Sequence, residues 1–193
     1  MNKKTKHPVG IIAEDDSDFF SACVLIRRIA KKDNVCFHKF IGRGGGKIKK
    51  KCCAWANELH RKGCKTLVLI HDSDDNEPNG LQQKLKGALG QSPIEKHLIC
   101  IPIQELEAWL LSDPDAIKKG LNLQKKPVVP GQPEQINSPK EYLGKLIYFA
   151  SNKEKIYLNT KHNIKIAEVL SIDRAKRFCP SFRPFYEFIH KHI

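Results

Sequence analysis

Short apolar runs alternate with longer segments of helical periodicity in the first part of the chain. The apolar runs, each short enough for a buried strand, are residues 9–13, 35–41, 66–70 and 98–103. The segments in which apolar positions recur every three or four residues are 18–32, 48–62, 81–89 and 105–111. This alternation predicts an α/β fold in which helices flank a mostly parallel sheet of about four strands, with right-handed crossovers.

After this alternating part, the chain has a proline-rich segment followed by helical segments only. Residues 125–139 hold four prolines, which is typical of a loop or linker. The helical segments beyond it are residues 142–149, 164–170, 173–178 and 182–189. We therefore predict an α/β core at residues 8–120, a proline-rich linker at 121–140, and a helical extension at 141–193 that packs on the core.

Acidic residues follow three of the four predicted strands. The sequence reads EDDSD at 14–18, HDSDDNE at 71–77 and QELE at 104–107. Because parallel sheets collect ligand-binding residues at the carboxyl ends of their strands, these groups are expected at one edge. Their mutual repulsion favours a hard divalent cation with oxygen ligands, Mg²⁺ or Mn²⁺.

Four of these acidic residues are candidate metal ligands. Glu14, Asp72 and Asp74 are preferred because two separate strands deliver them, and the two aspartates point the same way from an extended backbone. Glu105 is added because it lies closer to the strand end than Glu107, and the two differ by about 200° in a regular helix. Which of these two glutamates contributes stays open. Glu14 is also a candidate general acid or base.

The chain as a whole is basic although the predicted site is acidic. It has 34 Lys and Arg against 21 Asp and Glu, a net charge of +13. Nucleic acid is the first candidate partner, because Lys and Arg neutralise its phosphates. The segment GRGGGKIKKK at 42–51 lacks the order of a Walker A motif. We interpret it as a flexible loop that contacts a nucleic-acid backbone, although a solvated basic face is a competing interpretation. The candidate contact residues are Arg43, Lys47, Lys49, Lys50 and Lys51.

Membrane and secretory functions find no support in the sequence. No apolar run approaches the ~20 residues that span a bilayer, and the basic N-terminus leads straight into a predicted strand rather than a signal peptide. Seven cysteines without framework spacing are typical of free thiols in a reducing compartment. We therefore expect no membrane partner and a cytoplasmic location.

The acidic pattern resembles that of a known domain. Glu14 ends the first strand, Asp18 follows it closely, and Asp72-x-Asp74 comes after a later strand. This arrangement resembles the Toprim domain of topoisomerases, primases and overcoming-lysogenization-defect nucleases. The first Toprim motif typically has a glycine after the glutamate, where this chain has Asp15.

Three further segments resemble a family of small stand-alone Toprim-like proteins of undetermined function. They are GRGGGK at 42–47, IPIQELEAWLLSDPDAI at 101–117 and CPSFRPFYEFI at 179–189. The resemblance implies catalytic roles for Glu14 and Asp18, with Glu14 as general acid or base. It also implies that Asp72 and Asp74 bind Mg²⁺.

The resemblance implies a metal-dependent nuclease that acts on DNA or RNA. Such relatives are often encoded beside an ATPase in phage-defence settings, so an ATPase partner is expected. A chain of 193 residues is too short to include a strand-passage domain, which excludes a topoisomerase. A catalytically inactive Toprim-like module that binds nucleic acid or a partner protein fits the sequence as an alternative.

A phosphorylation receiver domain is a rival from another class. It also has acidic residues after the first strand and an aspartate after the third, here Asp72. It requires a hydroxyl residue after the fourth strand, where Gln104 stands, and a lysine after a fifth strand. These misfits make it the weaker interpretation.

Overall fold

A computed structural model describes residues 7–193. The strands are β1 (Val9–Ala13), β2 (Phe37–Ile41), β3 (Thr66–Ile70) and β4 (Lys96–Cys100). The helices are α1 (Asp16–Ala30), α2 (Gly45–Arg61), α3 (Pro78–Leu89), α4 (Glu107–Leu111), α5 (Pro114–Leu121), α6 (Pro139–Ala150), α7 (Asn159–Ala167), α8 (Ile172–Phe178) and α9 (Phe182–His192).

The four strands form one parallel sheet in the order β2-β1-β3-β4. Ile11 of β1 pairs with Lys39 of β2 and Val68 of β3, and Val68 pairs in turn with Leu98 of β4. All residues of the central strands β1 and β3 are buried, as expected when helices cover both faces of a parallel sheet. The α/β prediction is confirmed. In residues 7–193 the sheet has four strands, and the fifth strand that the receiver interpretation requires is not among them.

Each face of the sheet has its own apolar layer. One face packs against α2 and α3 through residues such as Ile48, Leu59 and Leu85. The other face packs against α1 and the helices from α4 onward. On this face α7 contacts α1 and α5, while α9 contacts α1 and β4. The C-terminal helices therefore complete the second layer of the fold.

An aromatic cluster joins α4 to α9. The Trp109 ring centroid lies 5.0 Å from that of Phe182 and 5.4 Å from that of Phe185, and all three side chains are fully buried. The indole Nε1–H of Trp109 donates to the hydroxyl of Ser181 at 2.8 Å. The segments around 101–117 and 179–189, far apart in the sequence, thus pack together as one unit.

Several boundaries differ from their predictions. Helix α1 begins at Asp16, ahead of the predicted start at residue 18, because Asp15 is its N-cap and accepts the Asp18 N–H at 3.0 Å. Helix α2 begins at Gly45, so the glycine run expected to be a flexible turn supplies a helical first turn.

The end of β4 also differs from its prediction. It stops at Cys100 rather than continuing to residue 103. A proline without an N–H follows at position 102, and residues that cannot donate are disfavoured in a ladder.

The segment predicted as a linker, residues 121–140, contains a short 3-10 helix at Pro133–Gln135. The carboxylate of Glu134 accepts the N–H of Ser181 at 3.1 Å, which attaches this segment to the start of α9. Across residues 7–193, none of the helices has the length and apolar character needed to cross a bilayer.

Candidate active site

The candidate site lies at the carboxyl edge of the sheet, where β1 and β3 end side by side. Glu14 directly follows β1, and its Oε1 accepts the backbone N–H of Asp72 at 3.1 Å. Asp72 in turn uses Oδ1 to accept the N–H of Leu106 at 3.1 Å, in the segment after β4. The loops after three strands are therefore joined by two carboxylates, as the sequence predicts for Glu14 and Asp72.

His71 holds Glu14 from a second side. Its Nδ1 lies 2.8 Å from Oε1 of Glu14 and 2.7 Å from the carbonyl oxygen of Asp72, so Nδ1 carries the proton that both acceptors share. Burial lowers the pKa of His71, but the hydrogen bond and charge of Glu14 outweigh this effect and raise it. His71 is the first residue of the acidic segment HDSDDNE, but the sequence did not mark it as part of the site.

Gly45 closes the space around His71. A Cβ at Gly45 would lie 2.4 Å from Nε2 of His71 and 3.4 Å from Oε1 of Glu14. Nε2 is buried and has no hydrogen-bond partner among residues 7–193. Gly45 is therefore needed for the close approach of α2 to the site.

Asp74 is the most exposed of the predicted ligands. It has a left-handed backbone with φ of 46°, and its N–H donates to the carbonyl of Gln104 at 3.0 Å. Burial and the charge of Glu14 raise the pKa of its carboxyl. The left-handed conformation breaks the extended geometry from which Asp72 and Asp74 were expected to point the same way.

Asp18 is buried in the first turn of α1, although it is a carboxylate. Burial, followed by the charges of Asp15, Glu107 and Glu14, raises the pKa of Asp18 well above its usual value. The sequence placed Asp18 in the site through a family resemblance. The structure brings it into the same electrostatic cluster as Asp72, whose pKa is raised by burial, Asp18 and Glu107.

Glu105 and Glu107 both belong to this cluster. The expectation that only one faces the site assumed a regular helix through both residues, but α4 begins at Glu107. Oε2 of Glu105 accepts the N–H of Lys140 at 2.7 Å, and burial is the main reason that its pKa is raised. Both glutamates contribute to the raised pKa of Asp72.

Glu107 is held in a buried polar network that the sequence did not reveal. Its Oε1 accepts the hydroxyl of Tyr157 at 3.1 Å and the side-chain amide of Asn163 at 3.0 Å. The same amide donates to Ser17 at 2.8 Å. Helices α1, α4 and α7 therefore meet at one buried carboxylate.

Lys140, at the start of α6, is another residue of the site that the sequence did not predict. Its Nζ lies 3.7 Å from Oδ2 of Asp15. Burial lowers its pKa, but the charges of Glu107, Asp15 and Asp18 outweigh this effect and raise it. The lysine lies in the segment predicted as a linker, where no local motif marks it.

The five predicted nucleic-acid contacts lie on α2 and the loop before it. The N–H of Arg43 donates to the carbonyl of Glu14 at 2.8 Å, which attaches this loop to the end of β1. Lys49 is half-buried, and its charge lowers the pKa of both His71 and Asp74. The exposed members of this set are Arg43, Lys47, Lys50 and Lys51. The basic segment thus borders the acidic site.

The carboxylates are close enough to raise one another's pKa values. Among residues 7–193, no three His, Cys, Asp or Glu side chains are gathered in metal-binding positions. Glu14 and Asp72 each direct one oxygen to a protein donor. The second oxygen of Asp72 has no hydrogen-bond partner in the described part of the chain.

Comparison with known families places the chain in one domain family. The family model described as "Domain of unknown function (DUF4276)" matches residues 13–190. This match covers most of the chain, which therefore belongs to that family. No solved structure matches the chain.

Proposed function

We propose that this member of the DUF4276 family is a metal-dependent nuclease that hydrolyses phosphodiester bonds in nucleic acid. One observation carries the proposal: acidic residues after three parallel strands form a single cluster of carboxyls with raised pKa values. Clefts with such perturbed groups are typical of functional sites. The whole chain, acidic cluster included, has a net charge of +13, which favours a polyanionic substrate.

The donor set fits Mg²⁺ or Mn²⁺. Burial and the negative charges of neighbouring carboxylates, with Glu14 acting on both residues, raise the pKa of Asp72 and of Asp74, and a divalent cation would offset these effects. Carboxylate oxygens are the ligands that these hard cations prefer. Glu14, Asp72, Asp74 and Glu105 would hold the ion. When bound, it would supply Lewis acidity toward a phosphate oxygen.

Glu14 is placed to move a proton during hydrolysis. The Asp72 N–H and the His71 ring both hold Oε1, which fixes the direction of the carboxylate. General acid–base catalysis requires this kind of positioning within reach of the reacting group. Asp18 shapes the field at the site through its charge, since burial keeps its side chain away from solvent.

We also propose that the domain is Toprim-like. A glutamate after β1 and two aspartates after the neighbouring strand β3 support this assignment. Asp15, which replaces the usual glycine, has φ of −138° and caps α1. Because this conformation is open to any residue, the departure from the motif does not distort the turn. The proposal extends to an ATPase partner and a defence role, which rest on the family resemblance alone.

A cleavage survey tests the nuclease proposal. The purified chain is incubated with single- and double-stranded DNA and RNA, with Mn²⁺, Mg²⁺ or a chelator, and with or without any ATPase that co-purifies with it. We expect the protein to cleave at least one of these substrates, and we expect the cleavage to stop when chelator is present. Binding without cleavage under every condition would instead favour the inactive module.

A further inference from the structure

An open groove with an apolar floor lies between α6 and the segment that precedes α7. Its volume is about 620 Å³, and Tyr148, Ile156 and Leu158 line it. Ile156 is 76% exposed and Leu158 is 54% exposed. Two adjacent apolar side chains left so open to water are unusual for a surface without a ligand, because exposed apolar patches mark interaction sites.

Basic residues surround this apolar floor. Lys145 lies along the groove itself, and a neighbouring depression that shares Ile156 and Leu158 is lined by Lys161 and Lys165. These three lysine side chains form no ion pair or hydrogen bond with other residues in the 7–193 range. Glu141 is the one acidic residue among those that line the groove, and Lys140 and Lys145 outnumber it there. The groove therefore combines an apolar floor with a lining of net positive charge.

The positive charges of these lysines together act on the pKa of His162. Burial lowers the pKa of this histidine, and the positive charges of Lys161, Lys165 and Lys155 lower it further. A positive potential of this kind attracts anions along the whole depression.

Three residues that line the groove also contact residues of the carboxylate cluster. Lys140 lines the groove, and its Nζ also lies 3.7 Å from Oδ2 of Asp15. Asn159, which also lines the groove, donates to Oδ2 of Asp15 at 3.5 Å. The hydroxyl of Tyr157 reaches from the groove wall to Glu107 at 3.1 Å. A ligand in the groove thus lies beside the proposed active site.

We propose that this groove binds an unpaired segment of a nucleic-acid strand. The bases would lie on Tyr148, Ile156 and Leu158, while the phosphates face Lys161 and Lys165. The strand would then cross the carboxylate edge toward the basic residues of α2. The inference rests on the proposed function, because it names the substrate class of the same site.

The chemistry of the groove favours a single strand over a duplex. In a duplex the apolar faces of the bases are stacked on one another and are not available to a protein surface. An unpaired strand exposes those faces together with its phosphates, and proteins bind it with apolar or aromatic platforms beside basic side chains. An unpaired strand is therefore a single ligand that can contact both the apolar floor and the lysines.

Oligonucleotide binding measured by fluorescence anisotropy tests this inference. The probe is a labelled thymidine oligonucleotide of about 12 nucleotides, within the range of known single-strand sites. A hairpin duplex and RNA versions of both probes are the comparison arms. Chelator is present throughout, so that no cleavage occurs. Circular dichroism and thermal melting confirm that every variant is folded.

Two variants separate the apolar and the charged contributions. Ile156→Ser with Leu158→Ser is expected to weaken single-strand binding at least about tenfold, since apolar contacts with the bases are lost, and to leave the salt slope unchanged. Its control is Val128→Ser, which alters a valine that is 84% exposed outside the groove. Lys161→Ala with Lys165→Ala is expected to reduce the salt slope by about 1.4, at roughly 0.7 for each lost phosphate contact. Its control is Lys84→Ala with Lys86→Ala on α3, across the sheet.

The outcomes separate this inference from the nuclease proposal. Groove variants that lose single-strand binding support the inference even if the protein never cleaves. Equal affinity for single strand and duplex, with neither variant differing from its control, overturns it even if the protein is a nuclease. If the serine variant instead releases a co-purifying protein while oligonucleotide binding is unchanged, the groove docks a protein and the inference is wrong.

Discussion

Oε1 of Glu14 accepts the backbone N–H of Asp72 at 3.1 Å, although 58 positions separate the two residues in the sequence. The bond joins the ends of β1 and β3, which are neighbours in the sheet. Because the donor is a backbone amide, replacing the side chain of Asp72 leaves Glu14 held in place. The contributions of the two carboxylates can therefore be separated by mutation.

Metal binding is expected to depend on Asp72 and Asp74. Calorimetry with Mn²⁺ should detect weak binding to the wild type and none to Asp72→Asn with Asp74→Asn. A site with few carboxylates loses its charged ligands when two of them become amides. The control is Asp33→Asn with Glu95→Gln, two exposed residues that precede β2 and β4 at the opposite edge. Equal binding by both double variants would show that the site is misassigned.

Removing the charge of Asp18 is expected to stabilise the metal-free protein at neutral pH. The pKa of the Asp18 carboxyl is raised in the folded protein, so at a given pH the folded state binds more protons at this group than the unfolded state does. The free energy of unfolding therefore falls as the pH rises from the pKa of the unfolded state, about 3.9, toward the higher pKa of the folded state. Thermal melting in chelator should show this fall in the wild type and a smaller one in Asp18→Asn. At pH 7 the variant should melt higher. An unchanged pH dependence would contradict the cluster described here.

Gly45 and Gly46 offer a matched test of close packing at His71. A Cβ at Gly45 would lie 2.4 Å from Nε2 of His71, whereas one at Gly46 meets nothing within 4 Å. Gly45→Ala should destabilise the fold by about 1–3 kcal/mol through overpacking. Gly46→Ala should be neutral or stabilise it by up to about 1 kcal/mol, since alanine favours helix. Denaturant unfolding measures both, and equal stability would argue against this packing.

The lysines of α2 are expected to contact phosphates. Replacing Lys49, Lys50 and Lys51 with alanine should weaken nucleic-acid binding at low salt and flatten its salt dependence by roughly one slope unit per lost contact. Binding titrations at several salt concentrations measure the slope. A slope equal to that of the wild type would mean that this side of α2 is only a solvated surface.

The sequence predicted the parts of the site that depend on strand ends. Glu14 and Asp72 could be placed together because buried strands are short, distinct apolar runs and parallel strands end at one edge. Local patterns also identified the basic segment at 42–51. They did not reveal its helical start at Gly45, because glycine disfavours helix unless close packing requires it.

The residues of the site that the sequence did not predict are brought there by tertiary packing. Lys140, Tyr157 and Asn163 lie in or beyond the segment predicted as a linker, and nothing in their local sequence marks a functional role. They reach the carboxylates only because α6 and α7 pack against α4 and α1. The burial of Glu107 has the same origin, since its partners come from the distant helix α7 and the segment that leads into it.

The most direct test of the central claim is the rate of cleavage by Glu14→Gln. The substrate is the nucleic acid that the wild type cleaves in Mn²⁺, with enzyme in excess and Asp33→Asn as the control variant. We expect Glu14→Gln to cleave at least about 100-fold more slowly, the usual contribution of a general acid or base, and to retain substrate binding. The control should match the wild type. Cleavage by Glu14→Gln at the wild-type rate would contradict the assignment of this site.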